Sequence, residues 1–267
     1  LSGGSAFGLD AAGGVMEFLE ERGRGFDVTV TRVPIVPTAV ISDLSVGDHR
    51  VRPDKAMGYA ACQAARTEFQ GNGSFGAGTV ASVGKLLGIR QGTKGGLGST
   101  CLEGPQGLLV AALAVVYAFV DVVDPETGEI MAGARTAPDS REFADAAALI
   151  RRGLVRQNFG EPNTPIGVVV TNARLTREQA QKIAHMGQNG LARTISPVHT
   201  LFDGDIVFVL SRPEVTVDLH TLGLLAQAAL ETAILNAVRQ ADGLGVLPSY
   251  QDLRSLKQDK DERGPGT

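Results

Sequence analysis

The sequence predicts an α+β protein, with layered α/β architecture and a mixed sheet. Three observations support this. Short apolar runs such as Ile166–Val170 are bounded by turn residues, as buried strands are. Helical patterns are interleaved with these runs, yet several strands follow one another directly, which argues against a regular doubly wound sheet. Ala and Gly are abundant, aromatic residues make up 5% and Trp is absent, so small residues must pack closely.

The first half of the chain is read as two helices followed by strands. We expect a helix over about Leu9–Arg22, an extended Pro-punctuated stretch over Val28–Val40, and a second helix over Pro53–Phe69. Pro at the start of that second helix is compatible with the first helical turn. The Gly-rich stretch Gln70–Gly104 is expected to form loops between short strands, and the apolar run Leu108–Val123 to form one long strand.

The second half begins with a hairpin whose turn is Pro125–Gly128, with Ile130 opening its second arm. A helix is expected over Asp139–Gln157, and another opens at Thr176, where Gln179 completes a capping box. The last elements are a strand over Asp205–Leu210, an apolar helix over Leu222–Gln240 and a polar tail from Gln251. We expect one domain over residues 1–250, followed by a polar tail over 251–267.

Composition and charge disfavour several classes of partner. The net charge is −4 with no basic run, so nucleic acid is not an expected partner. Neither a signal peptide nor an apolar run of membrane-spanning length stands out, so we predict a cytoplasmic protein without a membrane partner. Cys62 and Cys101 are far apart and lack a CxxC spacing, so we expect reduced thiols. No metal-ligand spacing appears among the histidines, which are His49, His185, His199 and His220.

Two glycine-rich stretches resemble cofactor-binding loops but fail the test of context. Gly71–Gly76 matches GxGxxG, yet it follows a helix and has no acidic residue about twenty positions on, before Glu103. Gly78–Lys85 resembles a phosphate-binding loop, but Leu86 stands where a magnesium-binding Ser or Thr is needed. We therefore predict no cofactor.

Asn163-Thr164 stands at the leading edge of a predicted core strand, behind a loop-like Gly160–Asn163. Thr is a poor nucleophile unless it is a chain N-terminus, where its own α-amine takes the hydroxyl proton. Such an amine titrates near about 7.7–8.0, which suits a general base at neutral pH. The residues alone also fit an ordinary Asn-Thr-Pro turn, and they leave both interpretations open.

Two further segments carry candidate chemistry. Lys85 ends the small-residue stretch Gly76–Gly84, so its side chain either points into a packed, Gly-lined site or faces solvent. Asp203-Gly204-Asp205 precedes a strand, where it forms a turn or brings two carboxylates to a reacting centre. Neither pattern is specific alone.

Together these residues resemble the DmpA/BapA-like aminopeptidase family, which includes the NylC-type nylon-oligomer hydrolases. The spacing of the matching blocks is similar to that of the NylC-like branch. The blocks are Leu1–Leu9, Val36–Leu44, Gly76–Lys85, Lys94–Gly98, Asp121–Pro125, Asn163–Ala173, Pro197–Thr200 and Phe202–Asp205.

The resemblance implies a four-layer αββα sandwich of the DmpA and ornithine-acetyltransferase type. It implies self-cleavage between Asn163 and Thr164, giving a large subunit over 1–163 and a small subunit over 164–267. Thr164 would be the nucleophile, Lys85 an active-site cation, and Asp203 and Asp205 a carboxylate pair that orients the threonine. The implied substrates are small peptides or linear amide oligomers of the nylon type. A homo-oligomer is implied too, with a tetramer among the candidates.

The chain departs from the family pattern at three positions. Tyr117 replaces an Asn that contacts the oxyanion or substrate in relatives, Ser42 replaces Tyr or Phe, and Pro165 replaces a second Thr. We treat Tyr117 and Ser42 as candidate oxyanion or substrate-binding residues that exchange size within one pocket. Two alternatives to hydrolysis stay open at this point. One is acyl transfer to an amine, as in ornithine acetyltransferase, and the other is an inactive structural homologue.

Overall fold

The computed structural model describes residues 1–68, 71–154 and 163–254. It divides into two compact units, Leu1–Gly71 and Asn72–Thr267. The parts of the predicted elements that fall on residues 69–70, 155–162 and 255–267 lie outside the described residues, including most of the loop before Asn163 and most of the polar tail. Of that tail, residues 251–254 continue a helical turn that begins at Tyr250.

The first unit contains the two predicted helices, α1 (Ala11–Glu20) and α2 (Lys55–Ala64), and a two-residue antiparallel pair, β1 (Phe26–Asp27) and β2 (Arg32–Val33). A 3-10 segment, Ser5–Asp10, leads into α1.

Both helices of this unit are shorter than the sequence predicts. The Asp54 side chain accepts a hydrogen bond from the Met57 backbone N–H at 2.9 Å, so Asp54 caps α2 and Pro53 lies outside it. The two helices pack through Phe18 and Tyr59, whose rings meet edge to face at 5.6 Å.

The second unit is built on sheets covered by long helices. Its strands in chain order are β3 (Ser82–Val83), β4 (Thr93–Lys94), β5 (Gly96–Glu103), β6 (Leu109–Val116), β7 (Asp121–Val123), β8 (Ile130–Ala132), β9 (Ile166–Ala173), β10 (Ile195–Ser196) and β11 (Ile206–Val215). Its helices are α3 (Ala146–Arg151), α4 (Arg177–Thr194) and α5 (Leu219–Arg239).

The main sheet of this unit has the strand order β11-β9-β6-β5. Its β11 and β9 are parallel and its other neighbours antiparallel, so the sheet is mixed, as predicted. A three-stranded antiparallel sheet has the order β10-β7-β8, and β3 pairs with β4. The predicted hairpin is confirmed, because Val123 of β7 pairs with Ile130 of β8.

Helices α4 and α5 pack against each other and cover one face of the main sheet. The capping box that opens α4 at Thr176 is confirmed, with both reciprocal hydrogen bonds formed. Helix α5 has 21 residues and a mean hydropathy of 1.4, which is long and apolar enough to span a membrane, contrary to the sequence-based expectation. In the structure 56% of the apolar stretch of α5 is buried, so the apolar composition of this helix is accounted for by packing in the core of the unit.

The predicted strand Leu108–Val123 is two strands, β6 and β7, separated by Tyr117–Val120. Backbone groups of this interruption bond to Thr164 and Lys85 rather than to a neighbouring strand. Within the predicted loops, β5 is a full eight-residue strand. Helix α3 begins only after Asp145, whose side chain caps it, and not at Asp139. The interruption between β6 and β7 is the feature that positions the candidate site.

Candidate active site

Asn163 is held on both sides of its backbone before β9 begins. Its N–H donates to the Phe202 carbonyl at 2.9 Å, and its carbonyl accepts from the Gly204 N–H at 2.7 Å. This pairing forms a parallel bridge between Asn163 and Asp203, and Asn163 is fully buried. The carbonyl at the predicted cleavage position therefore has a fixed direction.

Thr164 follows with a different partner. Its N–H donates to the Tyr117 carbonyl at 2.8 Å, in the interruption between β6 and β7. The Pro165 carbonyl then accepts from the Ile206 N–H at 3.2 Å, and the ladder of β9 with β11 begins at Ile166. Thr164 thus lies at the leading edge of a core strand, as predicted, and it is half-buried.

Lys85 is placed by an unusual backbone turn at Gly84. Gly84 has φ +72°, and a Cβ there would lie 2.0 Å from the Gly133 carbonyl carbon, so only glycine fits. The Lys85 N–H donates to the Phe119 carbonyl at 2.8 Å, which ties the turn to the same interruption. The side chain is 2% exposed, which rules out the solvent-facing alternative.

The Lys85 ammonium lies over the ring of Tyr117. Its Nζ is 3.0 Å from the ring centroid, and it donates to the Ser82 carbonyl at 3.1 Å. A cation over an aromatic face is attracted by the ring quadrupole, more strongly when both groups are desolvated. Tyr117 therefore supports the lysine with its ring and Thr164 with its carbonyl. Its predicted role as a side-chain donor to substrate stays a prediction.

Asp203 faces the same interruption. One carboxylate oxygen accepts from the Phe119 N–H at 3.1 Å, and the other accepts from the Thr200 hydroxyl at 2.5 Å. Burial raises the pKa of Asp203, while these hydrogen bonds and the positive charge of Lys85 oppose the rise. The lysine and this carboxylate are thus electrostatically coupled.

Asp205 is paired with a histidine. Its side chain is 3% exposed, and its Oδ2 lies 2.6 Å from Nδ1 of His199. Its Oδ1 is buried and has no hydrogen-bond partner among the residues that the structure describes. Burial raises the pKa of Asp205, the nearby charge of Asp203 raises it further, and the His199 hydrogen bond opposes both.

The predicted site residues of the second unit therefore share one cluster: Lys85, Tyr117, Asn163, Thr164, Asp203 and Asp205. Ser42 belongs to the first unit, where it is half-buried. Its proposed size exchange with Tyr117 stays a prediction. Over the described residues, His, Cys, Asp and Glu form no group of three suited to a metal ion.

Sequence reasoning missed several groups that complete this cluster. The Gly204 N–H, the Tyr117 carbonyl and the Phe119 N–H are backbone groups, which leave no side-chain signal. His199 has no metal-ligand spacing in the sequence, and that absence gave no indication that it pairs with Asp205. Its position with Thr200 in the block before Asp203-Gly204-Asp205 was the available signal.

The geometry agrees with what the chain resembles. The model of peptidase family S58 matches residues 1–247. A Mycobacterium leprae protein named as an uncharacterised aminopeptidase is 40% identical, over 94% of this chain and 73% of the relative. A 6-aminohexanoate-oligomer endohydrolase from an Agromyces species is 31% identical, over 89% of this chain and 70% of the relative. The chain belongs to peptidase family S58.

Solved structures agree at the level of the fold. The L-aminopeptidase D-Ala-esterase/amidase of Ochrobactrum anthropi, described as a variant of the Ntn-hydrolase fold, superposes with a TM-score of 0.64 at 19% identity, over 95% of this chain and 71% of that one. A Burkholderia β-aminopeptidase superposes with a TM-score of 0.61 at 18% identity, over 97% of this chain and 73% of that one. The predicted fold class is therefore confirmed.

Proposed function

We propose that this chain is a self-processing amide hydrolase whose nucleophile is Thr164 after cleavage of the Asn163–Thr164 bond. Membership of a peptidase family supports the hydrolysis of peptide or other amide bonds. The names of the relatives support two substrate classes, small peptides attacked from the amino end and linear oligomers of the nylon type. A cytoplasmic homo-oligomer that requires no cofactor completes the proposal.

The observation that carries the proposal is the position of the Thr164 nitrogen. It lies 2.8 Å from the carbonyl oxygen of Tyr117. The ring of the same tyrosine contacts the buried Lys85 ammonium. After cleavage the same nitrogen becomes an α-amine, and the carbonyl is placed to keep it beside its own hydroxyl. An α-amine so placed is the base that an N-terminal threonine needs.

Self-cleavage proceeds by attack of the Thr164 hydroxyl oxygen on the Asn163 carbonyl carbon. The O–C bond forms, the C–N bond breaks, and the departing nitrogen takes the hydroxyl proton to become the amine. Water then hydrolyses the ester, which leaves a carboxylate on Asn163 and a free hydroxyl on Thr164. The protein needs to supply only position and charge stabilisation for these steps.

Turnover repeats the chemistry on a substrate amide. The amine takes the hydroxyl proton, the oxygen attacks the substrate carbonyl, and the substrate amine leaves with that proton. Water then releases the acyl group from the Thr164 oxygen. Asp203 and Asp205 orient the nucleophile in their ionised forms, and Lys85 balances the charge of Asp203.

Intact-mass analysis of the purified protein tests the proposal. Two fragments that meet at Asn163/Thr164 are expected from the wild-type chain, and one uncut chain from Thr164→Ala. The cut protein should release amine from aminoacyl anilides or from 6-aminohexanoate oligomers. Adding an amino-acid acceptor separates hydrolysis from acyl transfer, because only a transferase forms the acylated acceptor. A wild-type chain that stays uncut on incubation contradicts the proposal.

A further inference from the structure

The Asn163 carbonyl accepts a backbone hydrogen bond from the Gly204 N–H. The Gly204 N–H lies 2.7 Å from this oxygen, which is short for an amide hydrogen bond. The Asn163 N–H is fixed independently by the Phe202 carbonyl at 2.9 Å. The bonds on either side of the bridge orient the carbonyl towards Gly204 before any chemistry occurs.

Gly204 also borders the nucleophile. A Cβ built on Gly204 would lie 3.2 Å from the Thr164 hydroxyl oxygen and 3.7 Å from its methyl group. The φ of Gly204 lies outside the left-handed region, so the reason for glycine here is space beside the hydroxyl. Gly204 is exposed although both of its carboxylate neighbours are partly buried. One residue therefore offers a donor to the carbonyl and clearance to the attacking oxygen.

We propose that the Gly204 N–H is the oxyanion donor for self-cleavage at Asn163–Thr164. When the Thr164 oxygen adds to the Asn163 carbonyl carbon, the carbonyl electron pair moves onto the oxygen that Gly204 already binds. The N–H then stabilises a full negative charge. The oxyanion returns to a neutral carbonyl when the C–N bond breaks and the nitrogen takes the hydroxyl proton. A preorganised donor of this kind contributes about 10²–10³-fold in rate.

The proposal rests on the proposed self-processing function and adds the identity of the donor. The competing explanation is that this hydrogen bond only closes the bridge between Asn163 and Asp203. The two explanations differ in one respect. If the bond is only structural, removing its donor should affect self-cleavage no more than removing the donor of a neighbouring ladder bond. If it is the oxyanion donor, only removal of the Gly204 N–H should slow self-cleavage.

A backbone ester at position 204 tests the difference directly. Cell-free synthesis with an amber codon and a suppressor tRNA charged with glycolic acid replaces the Gly204 N–H by an ester oxygen and changes no side chain. The same codon read by a glycine-charged tRNA provides the wild-type chain. The matched control is the ester analogue of Ile206, whose N–H donates to Pro165 at 3.2 Å in the adjoining ladder. Cleavage of radiolabelled chains is followed on denaturing gels.

We expect the position-204 ester to slow self-cleavage by about 10²–10³-fold, and the Ile206 ester to change it by less than about 3-fold. Equal rates for the two esters, or wild-type cleavage with the position-204 ester, would overturn the proposal. If the glycine-charged chain itself stays uncut, it is the self-processing function that fails, and the two failures are thus distinguished.

Gly204→Ala provides a variant that needs no unnatural residue. It keeps the N–H but places a methyl group 3.2 Å from the Thr164 oxygen, so we expect self-cleavage to slow by about 10-fold. Thermal unfolding of the chain in a Thr164→Ala background reports whether the fold tolerates each change. The donor role is supported if the position-204 ester blocks cleavage and lowers the unfolding temperature no more than the Ile206 ester does. It is refuted if both esters lose stability and cleavage to the same extent.

Discussion

Two regions of the second unit bury charged residues, and they differ in how those charges are satisfied. In the candidate-site region, defined by Lys85, Thr164, Asp203 and Asp205, the Asp205 Oδ1 is buried without a hydrogen-bond partner among the described residues. In the support region, defined by Lys94 and Asp121, each carboxylate oxygen of Asp121 accepts a backbone N–H, from Ala134 at 2.8 Å and Ala146 at 2.7 Å. Both regions are buried, and they differ in whether each carboxylate oxygen has a hydrogen-bond partner among the described residues.

The two lysines make the same contrast. Lys94 donates to the carbonyls of Thr79 at 2.7 Å and Gly78 at 3.5 Å, which ties the Gly-rich stretch to β4. Burial lowers the pKa of Lys94 to about 8. Lys85 lies instead over the Tyr117 ring, and its charge lowers the pKa of Asp203. Both lysines donate to backbone carbonyls and both lie near a carboxylate, which is Asp203 for Lys85 and Asp242 for Lys94. The contact that sets Lys85 apart is the one with the Tyr117 ring.

The largest effect is expected from Thr164→Ala, which removes the only hydroxyl proposed to react. Self-cleavage and turnover should both fall by at least about 10³-fold, because nucleophile and base are parts of one unit. Thr164→Ser keeps the hydroxyl and is the matched control, with cleavage retained. The measurement is the fraction of cut chain by intact mass. If the Thr164→Ala chain is still cut, Thr164 is not the nucleophile of self-cleavage.

Asp121→Asn tests the support region through its pH dependence. Burial raises the pKa of Asp121 from 3.8 to about 6. Between these values the folded state holds a proton that the unfolded state has lost, so the contribution of Asp121 to stability falls as pH rises. Relative to Asp121→Asn, which does not titrate, the wild-type free energy of unfolding should fall by about 2 kcal/mol between pH 4 and pH 7.

Urea unfolding of both chains across that range provides the measurement. Self-cleavage of folded Asp121→Asn should stay close to wild type, because both oxygens of Asp121 bond to the backbone N–H groups of Ala134 and Ala146, which are not members of the site cluster. A parallel pair of stability profiles would show that Asp121 does not titrate in this window. Loss of cleavage in a folded variant would erase the distinction between the regions.

Substitution of the two lysines by Met compares the regions with one chemical change. Lys85→Met should slow self-cleavage by about 10²-fold, because Asp203 loses the cation that opposes its raised pKa. Lys94→Met removes the lysine donor from the Thr79 and Gly78 carbonyls, of which Gly78 keeps the Ala81 N–H, and should cost about 1–3 kcal/mol of unfolding free energy. Cleavage kinetics and urea unfolding are measured on both. Exchanged outcomes, with cleavage lost in Lys94→Met, would reverse the assignment.

The side chains of the candidate site could be predicted from the sequence, whereas most of the backbone groups that hold them could not. Thr164 stands before an apolar β-branched run and lies at the leading edge of β9, as predicted. For Lys85 the glycine stretch left both a packed and a solvent-facing side chain open, and only its burial in the structure decides between them. The break between β6 and β7 did not stand out, because Tyr117–Val120 is as apolar as the strands around it. Strand β5 was hidden by its Gly, Ser, Thr and Cys residues, which lack apolar alternation.

The smallest effect is expected from His199→Asn, which leaves the Asp205 side chain in place but removes a partner that can carry positive charge. His199 has φ +53°, a conformation that Asn tolerates, so the backbone should keep its course. Burial raises the pKa of Asp205, Asp203 raises it further, and His199 lowers it. Without the histidine, Asp205 should take up its proton at higher pH. The acid limb of self-cleavage should then move to higher pH, with the plateau rate changed less than about 3-fold.

His220→Asn is the matched control for this shift. His220 also contacts an aspartate, with Nδ1 3.4 Å from Asp218, but both side chains are exposed at the start of α5. Its pH profile should coincide with that of the wild-type chain. A shift of the acid limb in His199→Asn alone would mean that the contact with His199 keeps the Asp205 carboxylate ionised for the reaction. Identical profiles in all three chains would mean that the acid limb of self-cleavage does not report the ionisation of Asp205, which contradicts this prediction.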